Sequence, residues 1–193
     1  TANLGGCTLE RHASLAKQSA SDPSTKPYKR TVDGEQSKLS LQDYLVADQW
    51  DFVTLQQMSA LSFKPETFHP HIDELVSLVH GLAPQAKILI HQTWAYRPDA
   101  PLLQQWKLSQ KEMHNGIVDA YGAVAKQFDA TIIPVGAAFD AVRSTEGREI
   151  VVPDPNYDYH NPAHPKRPDQ SHSLVAGWYW DTKGDQPRLK LDF

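Results

Sequence analysis

The chain has 193 residues, 40% of them hydrophobic and 22% charged, the composition of an ordinary globular domain long enough to bury a sizeable core. A net charge of −4, with basic residues scattered and densest only at Lys29–Arg30 and Lys166–Arg167, provides no footprint for nucleic acid or an anionic membrane. No apolar run reaches the roughly 18 residues of a membrane span, and Cys7, the single cysteine, excludes an internal disulfide.

Along the chain, GGCTLERH (5–12) reads as a turn after a strand end, and residues 17–38 are polar and turn-rich, a surface excursion. Asp51–Leu55 reads as a short buried strand. From Glu66 to Leu82 the apolar residues Phe68, Ile72, Leu75, Val76 and Val79 fall three and four apart, one face of a helix that Pro84 ends. Lys87–His91 is a second apolar strand. Ser109 and Glu112 form a capping box, and the helix they open places Met113, Ile117, Ala120, Tyr121, Val124 and Phe128 on one face. Thr131–Val135 is a third strand, with Pro134 favouring its end or a sheet edge. Residues 144–170 are proline-rich and aperiodic, a long loop whose Tyr157, Tyr159, His160 and His164 suggest an ordered segment flanking a site.

Alternation of apolar strands with helices predicts an α/β fold with a parallel sheet covered on both faces. In such sheets ligands bind beyond the carboxyl ends of the strands. GGCTLERH, QQMSALS (56–62), HQTWAYR (91–97) and GAAFD (136–140) all follow strand ends and are expected to share one crevice. Gly5–Gly6 can turn backbone N–H groups toward a developing oxyanion, or can be an ordinary strand-to-helix turn. Gln56 and Gln57 direct one amide to each face, and either can donate there or only cap a loop. Ser59, His91, Trp94 and Tyr96 are candidate lining residues, packing being the alternative for the two aromatics. Asp169 and His172, three apart, have the spacing of an acid–base pair. Asp192 would give the same spacing if a histidine followed two positions past Phe193. Nine histidines raise the question of metal. His69 and His71 do not share a helical face, and prolines interrupt His160 and His164, so no metal or other cofactor is expected.

GGCTLERH, WDFVTLQQMS, ILIHQTWAYR, SQKEMHNGIVDAYGAVAK, IIPVGAAF and PDQSHSLVAGWYW together resemble a bacterial branch of the SGNH/GDSL hydrolase superfamily, over nearly all of the chain outside 17–38. The resemblance implies a three-layer, flavodoxin-like parallel sheet and a single partial domain over 1–193. The first central strand and the nucleophilic serine would lie upstream of Thr1. It implies Gly6 and Gln57 as oxyanion donors and favours Asp192 over Asp169 and His172 as the triad carboxylate. Where the family pattern ends its third block in asparagine, this chain has Gln56, Gln57 and Ser59. The parent is then expected to hydrolyse acyl esters, with a carbohydrate-borne ester as one substrate class, and these 193 residues alone are expected to be inactive. A glycan-binding module without catalysis and a purely structural domain are the alternatives. Without the first strand, 51–55 is expected to be a bare sheet edge.

Overall fold

The computed structural model describes residues 2–193. Thr8 opens helix α1 (Leu9–Ser21): its hydroxyl accepts the Arg11 N–H, and Leu9, Ala13 and Ala16 form the buried stripe. The excursion at 17–38 then resolves into the end of α1 and an antiparallel hairpin of β1 (Tyr28–Val32) and β2 (Glu35–Leu39). Asp33 and Gly34 both take positive φ, 49° and 85°, the pairing that a two-residue turn of matching twist requires. Only Tyr28 anchors β1 inward, and β2 is exposed along most of its length.

A capping box of Ser40 and Asp43 starts α2 (Leu41–Val46). Strands β3 (Phe52–Leu55), β4 (Lys87–His91) and β5 (Thr131–Ile133) form a parallel sheet in the order β3-β4-β5, with Leu55 opposite Ile90 and Ile90 opposite Ile132. Among the described residues no strand pairs with the outer side of β3, so the expected bare edge is present. Helix α3 (His71–Leu82) buries Ile72, Leu75, Val76 and Val79. It begins later than the periodicity suggests, because Pro65–Thr67 forms a separate 3-10 turn that carries Phe68 into the core. In α5 (Gln110–Gln127) the Ser109–Glu112 box is made in both directions, at 3.1 Å from Glu112 N to Ser109 Oγ and 2.7 Å from Ser109 N to the Glu112 carboxylate. Met113, Ile117, Ala120, Tyr121 and Val124 are its buried face.

The third strand stops at Ile133, short of Val135. Pro134 cannot donate to the ladder, and Val135 already opens α6 (Val135–Arg143), so GAAFD is helical and not a strand-end loop. From Ser144 to Ala176 there is no helix or strand, in keeping with the long proline-rich loop. The chain closes with an antiparallel hairpin of β6 (Gly177–Asp181) and β7 (Arg188–Asp192), which periodicity had not marked.

Packing divides the chain into two compact units: residues through Thr93 with Gly116–Val135, which hold the parallel sheet, and Trp94–Asn115 with Gly136–Phe193. The second unit contains α4 (Pro101–Trp106), α6 and the β6–β7 hairpin. Its loop is packed by its own rings: Tyr157 on Tyr159 at 5.0 Å, Tyr159 on Trp178 at 5.4 Å and His164 on Trp180 at 5.1 Å between centroids. Among the described residues no helix is long and apolar enough to cross a membrane.

Candidate functional site

The first unit contains a cavity of about 620 Å³ along the free side of β3. Gly6, Cys7 and His12 line it from the first loop and helix, and Gln56, Gln57 and Ser59 line it from the end of β3. Two of the four expected segments therefore meet at the carboxyl end of a parallel strand. The Gly5–Gly6 turn is closed by Cys7 N–H donating to Leu4 O at 3.1 Å. Gly6 takes φ +63°, and a Cβ there would meet nothing within 4 Å, so backbone conformation and not crowding calls for glycine.

The two glutamines differ in what they can do. Gln57 is 1% exposed and fully engaged: its Oε1 accepts Leu9 N–H at 3.1 Å and Met58 N–H at 2.9 Å. Its Nε2 donates to Thr67 O at 2.9 Å and to Thr67 Oγ1 at 3.2 Å, and its backbone N–H donates to the Tyr121 hydroxyl. Both amide hydrogens are thus directed at Thr67. Gln56, on the opposite side of the strand, is exposed and faces the cavity. Ser59 starts a short 3-10 turn whose Ser62 hydroxyl donates to the Ser59 carbonyl.

Beside the glycine turn, His12 Nδ1 lies 2.7 Å from the Tyr28 hydroxyl with the rings stacked. Burial, and then the Arg11 charge, pull the His12 pKa below its ordinary value. Burial first, with Cys7 adding, pushes Tyr28 up to about 12. Burial also raises the Cys7 thiol against the opposing pull of Arg11. Burial thus favours the neutral forms of His12, Tyr28 and Cys7 beside the charge of Arg11. His91 ends β4, half-buried, and its Nδ1 is buried without a hydrogen-bond partner among the described residues.

In the second unit, Trp94 stacks on Phe139 at 4.8 Å. Arg143 packs over the same Phe139 ring and donates to Ala95 O at 2.8 Å. Tyr96 lies against Trp106 at 6.0 Å and Phe193 at 4.7 Å, and its carbonyl accepts the Gln110 amide. Both aromatics of HQTWAYR therefore make packing contacts within this unit. Asp169 turns its carboxylate onto Ser171, accepting from N at 2.9 Å and Oγ at 2.7 Å, and these bonds hold its pKa below the usual range. His172 takes φ +67° with Nδ1 3.3 Å from Glu149 O, and no hydrogen bond joins it to Asp169, although it lies close enough to help lower that carboxyl's pKa. Asp192 ends β7, exposed, opposite Gly177. Among the described residues no group of three or more His, Cys, Asp or Glu side chains is arranged to hold a metal. His69 pairs instead with Asp73 at 2.6 Å.

One cluster escapes sequence reading. Arg97 is 2% exposed and forks onto Asp99, with Nε and Nη2 each 2.9 Å from a carboxylate oxygen, while Nη1 donates to Gln170 and Ser173. The only local signal is Arg-x-Asp around Pro98. Its other partners lie more than seventy residues away.

Comparison with known proteins adds three findings. The DUF4886 family model, described as "Domain of unknown function (DUF4886)", matches residues 1–160. A DUF4886 family protein from Bacteroides uniformis ATCC 8492, solved as a crystal structure, shares 28% identity at a TM-score of 0.61, over 72% of this chain and 56% of that one. A protein from Slackia heliotrinireducens described as a "putative SGNH hydrolase" shares 23% identity at a TM-score of 0.54, over 78% of this chain and 70% of that one. The chain thus spans just over half the length of the Bacteroides protein. No curated protein matches the sequence. The fold is that of the SGNH hydrolases, a flavodoxin-like parallel sheet flanked by helices.

Proposed function

We propose that this chain, which belongs to the DUF4886 family, is part of an SGNH-type serine ester hydrolase. The observation that carries the reading is the cavity at the end of β3, which is lined both by the left-handed Gly6 turn and by the amide-bearing residues Gln56 and Gln57. A backbone N–H and a side-chain amide are the donor types that stabilise the oxyanion of a tetrahedral intermediate. In this reading Gly6 N–H is one donor. Gln57 holds the turn and the strand end together, and Gln56 presents the freer amide of the pair.

The serine attacks the acyl carbon, a histidine takes its proton and returns it to the leaving alcohol, and an aspartate orients the imidazole. Asp192 is the carboxylate we favour, because it is exposed at a strand end, whereas the Asp169 carboxylate is occupied by Ser171 and His172 by Glu149. An acyl ester on a carbohydrate is the substrate class supported by the ring surfaces of Tyr159, His164, Trp178 and Trp180. A glycan-binding module without catalysis would rest on the same rings.

The test uses the full-length gene product with a fluorophosphonate probe and p-nitrophenyl acetate. Covalent labelling together with acetate release is expected. Oligosaccharide binding with neither labelling nor turnover would replace the hydrolase by the binding module.

A further inference from the structure

We propose that Arg97 is the positioning residue for Asp192: it clamps the open end of the β6–β7 hairpin and so fixes where that carboxylate is presented. This inference rests on the hydrolase reading and on Asp192 as its carboxylate.

The geometry is a closed ring of polar contacts. Arg97 makes four hydrogen bonds, two to Asp99 and, from Nη1, one to Gln170 Oε1 at 3.2 Å and one to Ser173 Oγ at 3.0 Å. Gln170 then brackets the first residues of β6. Its Oε1 accepts Trp178 N–H at 2.7 Å, and its Nε2 donates to Trp178 O at 3.1 Å and Ala176 O at 3.3 Å. The Trp178 indole N–H returns to Asp99 Oδ2 at 3.3 Å, closing the ring. Gly177 sits inside it at φ +68°, and a Cβ at that position would collide with Arg97 Nη1 and Gln170 Oε1.

Gly177 is the residue directly across the ladder from Asp192. The strand segment that sets the backbone of Asp192 therefore lies against the guanidinium. Tyr96, next to Arg97, packs its ring on Phe193, the residue after Asp192. Two adjacent residues of one loop thus grip both strands at the end where the carboxylate emerges. A buried guanidinium is costly unless every donor is met, and a planar fork meets a carboxylate and an amide at once where a lysine ammonium cannot. Asp192 is exposed and in register at the clamped end, away from the turn at 182–187, so any loosening of the clamp moves it first.

The experiment is a double-mutant cycle in the full-length protein with p-nitrophenyl acetate as probe, comparing wild type, Arg97→Lys, Asp192→Asn and the pair. Arg97→Lys is expected to lower kcat by about tenfold to a hundredfold with KM changed less than about twofold. It should also move the acid limb of the kcat/KM profile to lower pH, because a displaced carboxylate no longer favours the imidazolium. In the Asp192→Asn background the same substitution should change kcat by less than about twofold. Independent, additive losses, or an unmoved acid limb, would overturn the proposal while leaving the hydrolase reading intact. A wild-type protein inert to the substrate would instead sink the hydrolase reading, and this inference with it. Should Arg97→Lys fail to fold, Ser173→Ala removes one acceptor of Nη1 and carries the same cycle. A kcat loss that disappears with Asp192→Asn supports the clamp, and no loss or a persisting one overturns it.

Discussion

The Gln57 side-chain carbonyl accepts the backbone N–H of Leu9, the first residue of α1, at 3.1 Å. Helix starts leave N–H groups without intrahelical partners, and here one of them is met from the end of a strand 48 residues further on. That single amide ties the glycine turn to β3 and to Thr67. Gln57→Leu keeps the volume and strands Leu9 N–H, Met58 N–H and the Thr67 carbonyl in a buried place. We expect a loss of about 2–4 kcal/mol in urea unfolding of the chain. A loss under about 1 kcal/mol would mean that water replaces the amide at little cost.

Two glycines inside α5 should respond differently to the same substitution. Gly122 has nothing within 4 Å of a built Cβ, so Gly122→Ala is expected to stabilise by about 0.5–1 kcal/mol through helix propensity alone. At Gly116 the new methyl would lie 3.1 Å from both the Cβ and the carbonyl oxygen of Phe63, and backbone cannot swing aside as a side-chain tip can. Gly116→Ala should therefore forfeit that gain or destabilise. Thermal unfolding of both variants decides it, and equal stabilisation would show that the Phe63 segment yields freely.

These contrasts mark how far the sequence could be read. Strands at 51–55 and 87–91, the α5 face and its Ser109–Glu112 box were legible because each depends on local period or on neighbours three apart. The third strand is shorter than its apolar run because Pro134 serves as a strand end and a helix entry at once. The β1–β2 hairpin shows in the sequence only through the turn chemistry of Asp33-Gly34, since the flanking strands are too exposed to alternate. At the candidate site, the residue types at 5–6 and 56–59 were readable, but the division of labour between Gln56 and Gln57 was not. Which amide is free is settled by Thr67 and Leu9, partners that no spacing rule reaches. Arg97 was invisible for the same reason, as Gln170 and Ser173 reach it only through the folded loop.

Acidification from neutral pH should weaken the fold through two histidines. His12 and His114 are both held below their ordinary pKa, chiefly by burial. Their unfolded value is about 6.5, so on descending from neutral pH the unfolded chain binds protons that the folded one resists, and stability rises with pH across that window. The contribution is complete above about pH 6.5 and is lost as pH falls toward the folded values. Asp43, Asp73 and Asp169, whose pKa values are lowered by hydrogen bonds, act only below about pH 4. The melting temperature should fall between pH 7 and pH 5, and His12→Gln with His114→Gln should flatten that slope. An unchanged slope in the double variant would assign the effect to other groups.

The free side of β3 gives the last prediction. Phe52 is 56% exposed at the start of that strand, and the backbone groups facing the cavity have no strand partner among the described residues. Such an edge invites a further strand, and a charged side chain on it is the usual deterrent. The 193-residue chain is therefore expected to self-associate in sedimentation velocity at micromolar concentration. Phe52→Glu, which sets an opposite charge across the ladder from Lys87, should weaken that association on the order of tenfold while leaving the parallel register of β3 on β4 undisturbed. Phe52 is already largely exposed, so the new carboxylate reaches water and the substitution tests the edge and not the core. A chain that sediments as a monomer and unfolds cooperatively would show that the cavity wall shields the edge by itself.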